Sequence, residues 1–516
     1  MASVPSVDDD RLASLIDTVE ARPSMTVTAP ATDESLGSVP RCTAADARAA
    51  VESAREAQQE WADRSVADRA AVLDTVGEAV LDRQRWLVDV LQAETGKARA
   101  DAFEEVLDVA ANADYYAREG PGFLASERRS SMLPIVTKAV EHRHPKGVVA
   151  LIVPWNYPLT LVLSDALPAI LAGNAVIVKP AEGTPFSALA AAEIVADTAL
   201  PADCFQVVTG DGPELGPPLI EHADAVGFTG STETGRTVAE QAGRHLTDVT
   251  LELGGKNPAI VLADADIDRA AAGAVDDAFA NAGQLCVSIE RFYAEEPVFE
   301  AFRDRFVSRT RQLTLGADTD WATDVGSLQS AAQLEKVTAH VEDALDRGAT
   351  LLTGGRARPD IGPFVFEPTI LTDVPDDARL TDEETFGPVV RIESVPDAEA
   401  ALERANDSRY GLNATVWSGD RSRGESLAAD IECGTVSVND SYRTVWACLD
   451  GPMGGFGDSG IGRRHARQGI EKYTQAQTVA TQRGPPMKHP AVPNRVWAGA
   501  VSAFLRARQR LPGWLR

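Results

Sequence analysis

Cys286, in the stretch Asn281-Ala282-Gly283-Gln284-Leu285-Cys286, and Glu252, in Leu251-Glu252-Leu253-Gly254-Gly255-Lys256, are the residues best suited to covalent chemistry in this chain. A thiol can bond to a carbonyl carbon, and a carboxylate can later activate the water that breaks that bond. Together they suggest two-stage covalent catalysis, which neither residue supports alone. A free thiol has a pKa of about 8.5, so Cys286 needs a base or a positive potential beside it to attack at neutral pH.

Two segments so far apart in sequence need a framework to bring them together. From Ala44 to Gly120, apolar residues recur at helical spacing in a stretch without proline, which predicts helices. From Gly147 the texture changes to short apolar runs, Val148–Val153, Ala175–Val178 and Phe205–Val208, with a helix expected over Ser187–Thr198. Such alternation predicts a parallel sheet with right-handed crossovers, the architecture that binds nucleotides at the carboxyl ends of its strands. The rhythm resumes after Gly255 with Ala259–Leu262, Thr350–Leu352, Val389–Ile392 and Thr435–Val438, predicting a second α/β domain that carries Cys286. The reaction is then expected in the cleft between the two.

With 516 residues, 44% of them hydrophobic, the chain can bury two or three domains. Asp and Glu exceed Lys and Arg by 77 to 49, a formal charge of -28, and a polyanion is repelled by most of such a surface. Nucleic-acid binding is therefore not expected. Scarce lysine and acids spread throughout, as in Asp8-Asp9-Asp10, read as a halophilic surface or as an ordinary acidic cytosolic one. Cys42, Cys204, Cys286, Cys433 and Cys448 are far apart with no CxxC pair, which argues against a disulfide framework and a zinc site. Neither a secretory signal nor an apolar run long enough to span a membrane is read, and the expected location is cytoplasmic.

Five stretches, in order, carry a resemblance: Pro154-Trp155-Asn156-Tyr157-Pro158, Gly173 to Glu182, Phe228-Thr229-Gly230-Ser231-Thr232-Glu233-Thr234-Gly235, the Glu252 and Cys286 segments, and Glu383-Glu384-Thr385-Phe386-Gly387-Pro388. The chain resembles the NAD(P)-dependent aldehyde dehydrogenase superfamily over nearly its whole length. Its ending, Pro452 to His465, together with Cys286 to Arg291, looks like the branch of second-type succinate-semialdehyde dehydrogenases. The resemblance implies an α/β fold with a Rossmann-like cofactor domain, an α/β catalytic domain and a small bridging β element. Expected boundaries are 1–130 and 146–253 for the cofactor domain, 254–450 for the catalytic domain, 131–145 and 471–481 for the bridge, and 482–516 for a basic tail. A homodimer or homotetramer is implied.

The resemblance also implies the roles of residues. Cys286 attacks the aldehyde; the Asn156 amide and the Cys286 N–H hold the oxyanion, and Glu252 serves the hydrolytic water. Gly230 and Gly235 mark a helix start facing the pyrophosphate, with Ser231 as a further donor; alone, a G-x-x-x-x-G is more often a turn. Lys179 and Glu182 hold the adenosine ribose, Glu384 holds the nicotinamide ribose, and Trp155 and Phe386 lie beside the cofactor. A carboxylate at Glu182 would repel a 2′-phosphate, favouring NAD over NADP. Relatives that pass the acyl group to coenzyme A generally lack the carboxylate of Glu252, so a free acid is the expected product.

The substrate is less defined. Better-known bacterial succinate-semialdehyde dehydrogenases place an arginine where this chain has Ala280. Arg443 is a possible substitute, or a plain surface arginine. With Trp155, Tyr157, Phe279 and Trp446 as candidate walls, an apolar aliphatic or aromatic aldehyde is the alternative to succinic semialdehyde. Arg464 stands where many relatives carry a glutamate, and Gly457 where the signature has lysine. From Lys472 onward the chain has no Asp or Glu, and Trp497, Ala500, Val501, Phe504 and Leu505 make an amphipathic helix, with arginines including Arg516 nearby. Packing on the enzyme's own acidic surface or a sister subunit is the expectation, and contact with an anionic membrane the rival. A non-catalytic cofactor-binding scaffold is the rival from another functional class.

Overall fold

In the computed structural model, which describes residues 24–132, 136–319, 321–484, 486, 488–489 and 491–510, two parallel-strand sheets flank the sequence segments discussed above. Asp8–Asp10 and Arg516 lie outside the described residues. The chain divides into a large unit from Met1–Phe123 and Pro145–Thr474 and a small one from Leu124–His144 and Gln475–Arg516.

In the large unit, the first sheet orders its strands Gly460–Ile461, Asp248–Glu252, Ala225–Thr229, Val148–Ile152, Ala175–Lys179 and Phe205–Val207. All pair in parallel except the edge strand Gly460–Ile461, which runs antiparallel to Asp248–Glu252. Ala175–Lys179 is buried at every position, as a strand covered on both faces must be. The helix Pro158–Ala172 on this sheet is likewise buried throughout; it starts on proline and stops at Gly173, whose φ of 98° closes it.

The second sheet runs Thr350–Thr353, Thr369–Thr372, Val389–Val395, Ile289–Glu295, Asn257–Val261, Asn413–Trp417 and Thr435–Val438, again parallel apart from the edge strand Thr350–Thr353. Its core gathers Phe279, Phe292, Phe302 and Phe306. The region 44–120 forms the helices Ala44–Asp63, Val66–Asp82, Gln84–Thr95 and Arg99–Leu124. The first begins on a capping box, in which Thr43 Oγ1 accepts from the Asp46 N–H and Asp46 Oδ2 accepts from the Thr43 N–H. The predicted helix over Ser187–Thr198 is observed at Pro185–Ala196, its start marked by the proline.

In the small unit, the sheet orders Thr474–Gln482, Thr137–Pro145 and Glu127–Arg129. The expected amphipathic helix is present as Asn494–Gln509, and Arg508 Nη1 donates to Met132 O at 3.1 Å.

Candidate active site

Strand register brings the first-sheet motifs to one edge. Ile152 pairs with both Lys179 and Phe228, and Phe228 with Leu251. The next residues along these strands, Pro154-Trp155-Asn156, Glu182, Gly230-Ser231 and Glu252, therefore emerge together at the carboxyl ends. Glu252 closes its strand, and its carbonyl accepts from the Gly230 N–H at 3.0 Å.

Cys286 is positioned by a strained turn. Asn281, Ala282 and Gly283 all take positive φ, at 49°, 54° and 71°, a conformation costing about 1–2 kcal/mol for a residue with a side chain. What offsets the strain is visible. The Asn281 N–H donates to Asp101 Oδ2 at 3.0 Å, and Asn281 Nδ2 donates to the carbonyls of Asn156 and Gln284 at 3.1 and 3.2 Å. At Gly283 a Cβ would lie 2.2 Å from Gly387 O, so only glycine lets the thiol loop touch the Phe386-Gly387-Pro388 segment. Beyond the thiol, Asn257 Nδ2 donates to Cys286 O at 2.8 Å and to Ser288 O at 2.7 Å.

Buried charges join the remaining loops. Lys256 pairs with Glu290, whose carboxylate accepts the Thr385 N–H at 3.0 Å and the Phe386 N–H at 2.9 Å. Burial disfavours ionised Glu290, but Lys256 and these N–H groups hold it below the ordinary carboxyl value. Asn156 is anchored through its carbonyl, which accepts from Lys97 Nζ at 2.7 Å; Lys97 pairs in turn with buried Glu105 at 2.5 Å. Glu105 Oε2 also accepts the Leu159 and Thr160 N–H groups at 2.9 and 3.1 Å.

Two cavities meet at Asn156, Leu161 and Cys286. One, of about 700 Å³, is also lined by Trp155, Gly230, Ser231, Glu252, Glu384 and Phe386. The other, of about 480 Å³, is lined mainly by Tyr157, Leu285, Val287, Tyr442, Trp446 and Met453, with Arg464 and His465. A group bonded to the thiol therefore faces one chamber that carries the carboxyls of Glu252 and Glu384 and another walled mainly by apolar side chains. Trp155 and Phe386 meet edge to face at 5.5 Å.

Electrostatics assign unequal roles to the thiol and the carboxyl. Burial pushes the Cys286 thiol up to about 12, with Glu252 adding to the effect and Arg464 opposing it. Burial also raises Glu252, to about 7, against the pull of Arg464 and Lys472. The positive potential at Cys286 is outweighed by burial, so the thiol depends on a base, and Glu252 is half ionised near neutrality. Glu252 Oε1 is buried with no hydrogen-bond partner among the described residues, as a group awaiting a proton donor would be. Asn156 Nδ2 spends one N–H on Gln284 O at 3.0 Å and keeps its second, and the Cys286 N–H has no partner among the described residues.

The chamber fits a dinucleotide. Gly230 and Ser231 lead into the helix Thr232–His245, and Ser231 Oγ caps it by accepting the Thr234 N–H at 3.3 Å, leaving earlier N–H groups free for an anion. Gly235 allows this helix against Leu253, which a Cβ would meet at 2.4 Å. Glu384 Oε1 accepts the Gly255 N–H at 2.8 Å, and burial raises its carboxyl to about 7. Lys179 Nζ meets Glu182 at 2.8 Å, and Glu182 Oε1 also accepts the Gly212 N–H at 2.7 Å. Partial burial works against ionised Glu182, but Lys179 keeps it below the ordinary value.

One expectation is corrected, and one pair of alternatives is decided. Phe279 is no cavity wall: it ends the helix Ile267–Phe279 inside the second core, stacked on Phe306 at 5.9 Å. Arg443 cannot substitute for the missing arginine, because it pairs with Glu104 and Asp276, both at 2.7 Å, and is absent from the cavity lining. The motifs also gave no role to Lys97, Glu105, Asn281 and Glu290. For Glu105 a signal existed: Asp101, Glu105, Asp108 and Asn112 recur at helical spacing on the buried face of Arg99–Leu124.

A model of the aldehyde dehydrogenase family matches residues 18–479. A Mycolicibacterium smegmatis protein, provisionally named a succinate-semialdehyde dehydrogenase using NADP(+), is 47% identical over 99% of this chain and 100% of its own length. Among solved structures, an NADP-dependent enzyme of Escherichia coli is 34% identical, with a TM-score of 0.87 over 91% of this chain and 99% of that one. A betaine aldehyde dehydrogenase of Staphylococcus aureus, in complex with NAD+, is 28% identical, with a TM-score of 0.86 over 94% of this chain and 100% of its own.

Proposed function

The chain belongs to the aldehyde dehydrogenase family, and we propose that it oxidises an aldehyde to the free carboxylic acid with Cys286 as nucleophile, Asn156 as oxyanion donor and Glu252 as base. The observation that carries this reading is the meeting of two cavities at Cys286, with Glu252 lining one of them.

Sγ bonds to the carbonyl carbon while Glu252 takes the thiol proton, and the π pair moves to oxygen. Asn156 Nδ2 and the Cys286 N–H receive that oxyanion; one such donor is worth about 3 kcal/mol in activation. NAD or NADP supplies the acceptor for the hydride that leaves the carbon, and Gly230, Ser231, Lys179, Glu182, Glu384, Trp155 and Phe386 would hold it. Glu252 releases the thiol's proton to solvent before the thioester left on Cys286 is opened by water: Glu252 then takes a proton from that water, the new C–O bond forms, the C–S bond breaks, the departing thiolate takes the proton back from Glu252, and the acid departs.

Glu182 supports NAD. Its carboxylate is held ionised by Lys179, and a 2′-phosphate beside it would meet a like charge. Succinic semialdehyde is the substrate reading supported by the name of the mycobacterial relative. The apolar lining of the second cavity, Leu161, Leu285, Val287, Trp446 and Met453, supports the alternative of an apolar aldehyde.

Three wider readings go with this one. The five cysteines are all free thiols, which supports a reducing, cytoplasmic setting. No described helix is long and apolar enough to cross a membrane. Thr474–Gln482 is an edge strand exposed at every position but its first, an arrangement that supports pairing with a sister subunit in a homodimer or homotetramer. The charge of -28 supports adaptation to high salt.

An aldehyde panel assayed with NAD and NADP tests the function. NADH should appear, and more readily than NADPH. Cys286→Ala should abolish turnover, and Glu252→Gln should lower it by about 10²–10⁴-fold. Full activity in Cys286→Ala would overturn the reading.

A further inference from the structure

On the reading that an aldehyde is oxidised at Cys286, we infer that Arg464 receives a carboxylate at the other end of the substrate, making short ω-oxo acids of the succinic semialdehyde type the preferred class. The ground is a cluster of unanswered donors. Tyr157 Oη, Arg464 Nη2 and His465 Nδ1 are buried without hydrogen-bond partners among the described residues, and all three residues line the cavity on the apolar side of Cys286. A phenol and a guanidinium are donors, and a neutral imidazole is one at the nitrogen that carries its proton. The Tyr157 and Arg464 donors at one cavity suit an acceptor-only ligand with two oxygens, and a carboxylate is the simplest.

Arg464 Nε meets Asp165 at 3.1 Å, but Lys472 Nζ meets the same carboxylate at 3.0 Å, so two cations share one anion. Burial disfavours the Asp165 carboxylate, yet Arg464 and Lys472 bring it down to about 2, so it is ionised and its charge is already spent. Two further carboxyls bear on Arg464, Glu252 and Asp108, and burial raises them to about 7 and about 6. His465 adds no charge: burial and Arg464 lower it to about 3. Near neutral pH Asp108 is then largely and Glu252 partly ionised, so carboxyls of the protein balance the charge of Arg464, and its claim on a ligand rests on the unpartnered Nη2.

The side chain is held for this task by its backbone. Arg464 pairs with Met453 through both main-chain groups, N–H to O at 2.6 Å and O from N–H at 2.9 Å. The following residues, His465 and Ala466, both take positive φ, at 56° and 51°, which only a strongly determined site retains. The other candidate cations are engaged: Arg443 by Glu104 and Asp276, and Lys97 by Glu105 and Asn156 O. Arg464 thereby takes the part that an arginine at Ala280 would otherwise play.

The test compares succinic semialdehyde with butanal, which has the same carbon count and no carboxylate. Wild-type enzyme should favour succinic semialdehyde in kcat/KM. In Arg464→Met that preference should fall about 10- to 100-fold, the loss expected for a charge-assisted hydrogen bond. Arg464→Lys should keep part of it, and Tyr157→Phe should reduce it several-fold. Both aldehydes share Cys286, Asn156 and Glu252, so any effect exerted through Glu252 cancels in the ratio. Succinate should inhibit butanal oxidation competitively, far better than neutral succinamide does, and that difference should vanish in Arg464→Met. Should Arg464→Met not fold, Tyr157→Phe and the succinate comparison on wild-type enzyme decide. An unchanged ratio in a folded Arg464→Met, or equal inhibition by succinate and succinamide, overturns the inference while aldehyde oxidation stands. No dinucleotide reduction with any aldehyde removes the underlying reading, and this inference with it.

Discussion

At the scale of residues, the site depends on a large separation between two proton affinities. Burial raises both groups, but the Cys286 thiol reaches about 12 and Glu252 only about 7. Below pH 7 Glu252 is protonated and cannot take a proton from the thiol or from water; above it the base is available. Values of kcat/KM should therefore rise with pH along a single limb near 7 and stay level to about pH 9, since the thiol's own titration lies higher. A pH profile of the wild-type enzyme checks this, and a limb near 8.5 would assign attack to a free thiolate instead. Arg464 helps to hold the limb down, so Arg464→Met should move it upward. The sequence showed Cys286, Asn156 and Glu252 because each sits in a recognisable local motif. It did not show Lys97, Glu105 or Glu290, whose work depends on partners far away in the chain and hidden from any local pattern. The two readings of Arg443 stayed open for the same reason: a lone arginine in a loop carries no mark of Glu104 and Asp276, which engage it.

At the scale of elements, the two sheets were legible where strands are continuous apolar runs, and their limits moved by only a few residues. Ala175–Lys179 and Val148–Ile152 are of this kind. Ile289–Glu295 was not marked, because Glu290 and Arg291 break the apolar pattern, although all seven positions are buried. Their charges are answered by Lys256 and by the Lys256, Arg404 and Ala405 carbonyls, a tertiary solution no window of sequence contains. The thiol turn is a second such case. Its three positive-φ residues act as one device, and Gly283 is where it fails first: a methyl group there meets Gly387 O at 2.2 Å. Gly283→Ala should cost about 1–2 kcal/mol for the left-handed backbone and about 1–3 kcal/mol for the overlap. Gly122, with nothing within 4 Å of its would-be Cβ in the helix Arg99–Leu124, is the contrast; Gly122→Ala should stabilise by about 0.4–1 kcal/mol. Thermal melts of the two variants should move in opposite directions, and only Gly283→Ala should lower kcat. Equal melts would show that the loop yields without strain.

At the scale of the whole molecule, charge sets the conditions under which everything above holds. The excess of 77 acids over 49 Lys and Arg cannot be paired away, and the ion pairs that do form are mostly surface pairs such as Arg64 with Glu60 and Arg244 with Glu240. Pairs of that kind contribute about 0–1 kcal/mol each and weaken in salt. Against them stands the mutual repulsion of a net charge of -28, which salt also weakens, the screening length falling from about 10 Å at 0.1 M to about 3 Å at 1 M. The two effects oppose each other, and their numbers decide: repulsion acts among all the unpaired carboxylates at once, whereas each pair is a local and small gain. The melting temperature should therefore rise from 0.05 M to 2 M KCl, counted as roughly several degrees if a few kcal/mol of repulsion are removed. Sucrose at matched osmolarity separates screening from preferential exclusion, since it leaves charges unscreened. If sucrose stabilises as much as KCl, or if KCl lowers the melting temperature, the acidic surface belongs to an ordinary cytosolic enzyme and not to one adapted to salt.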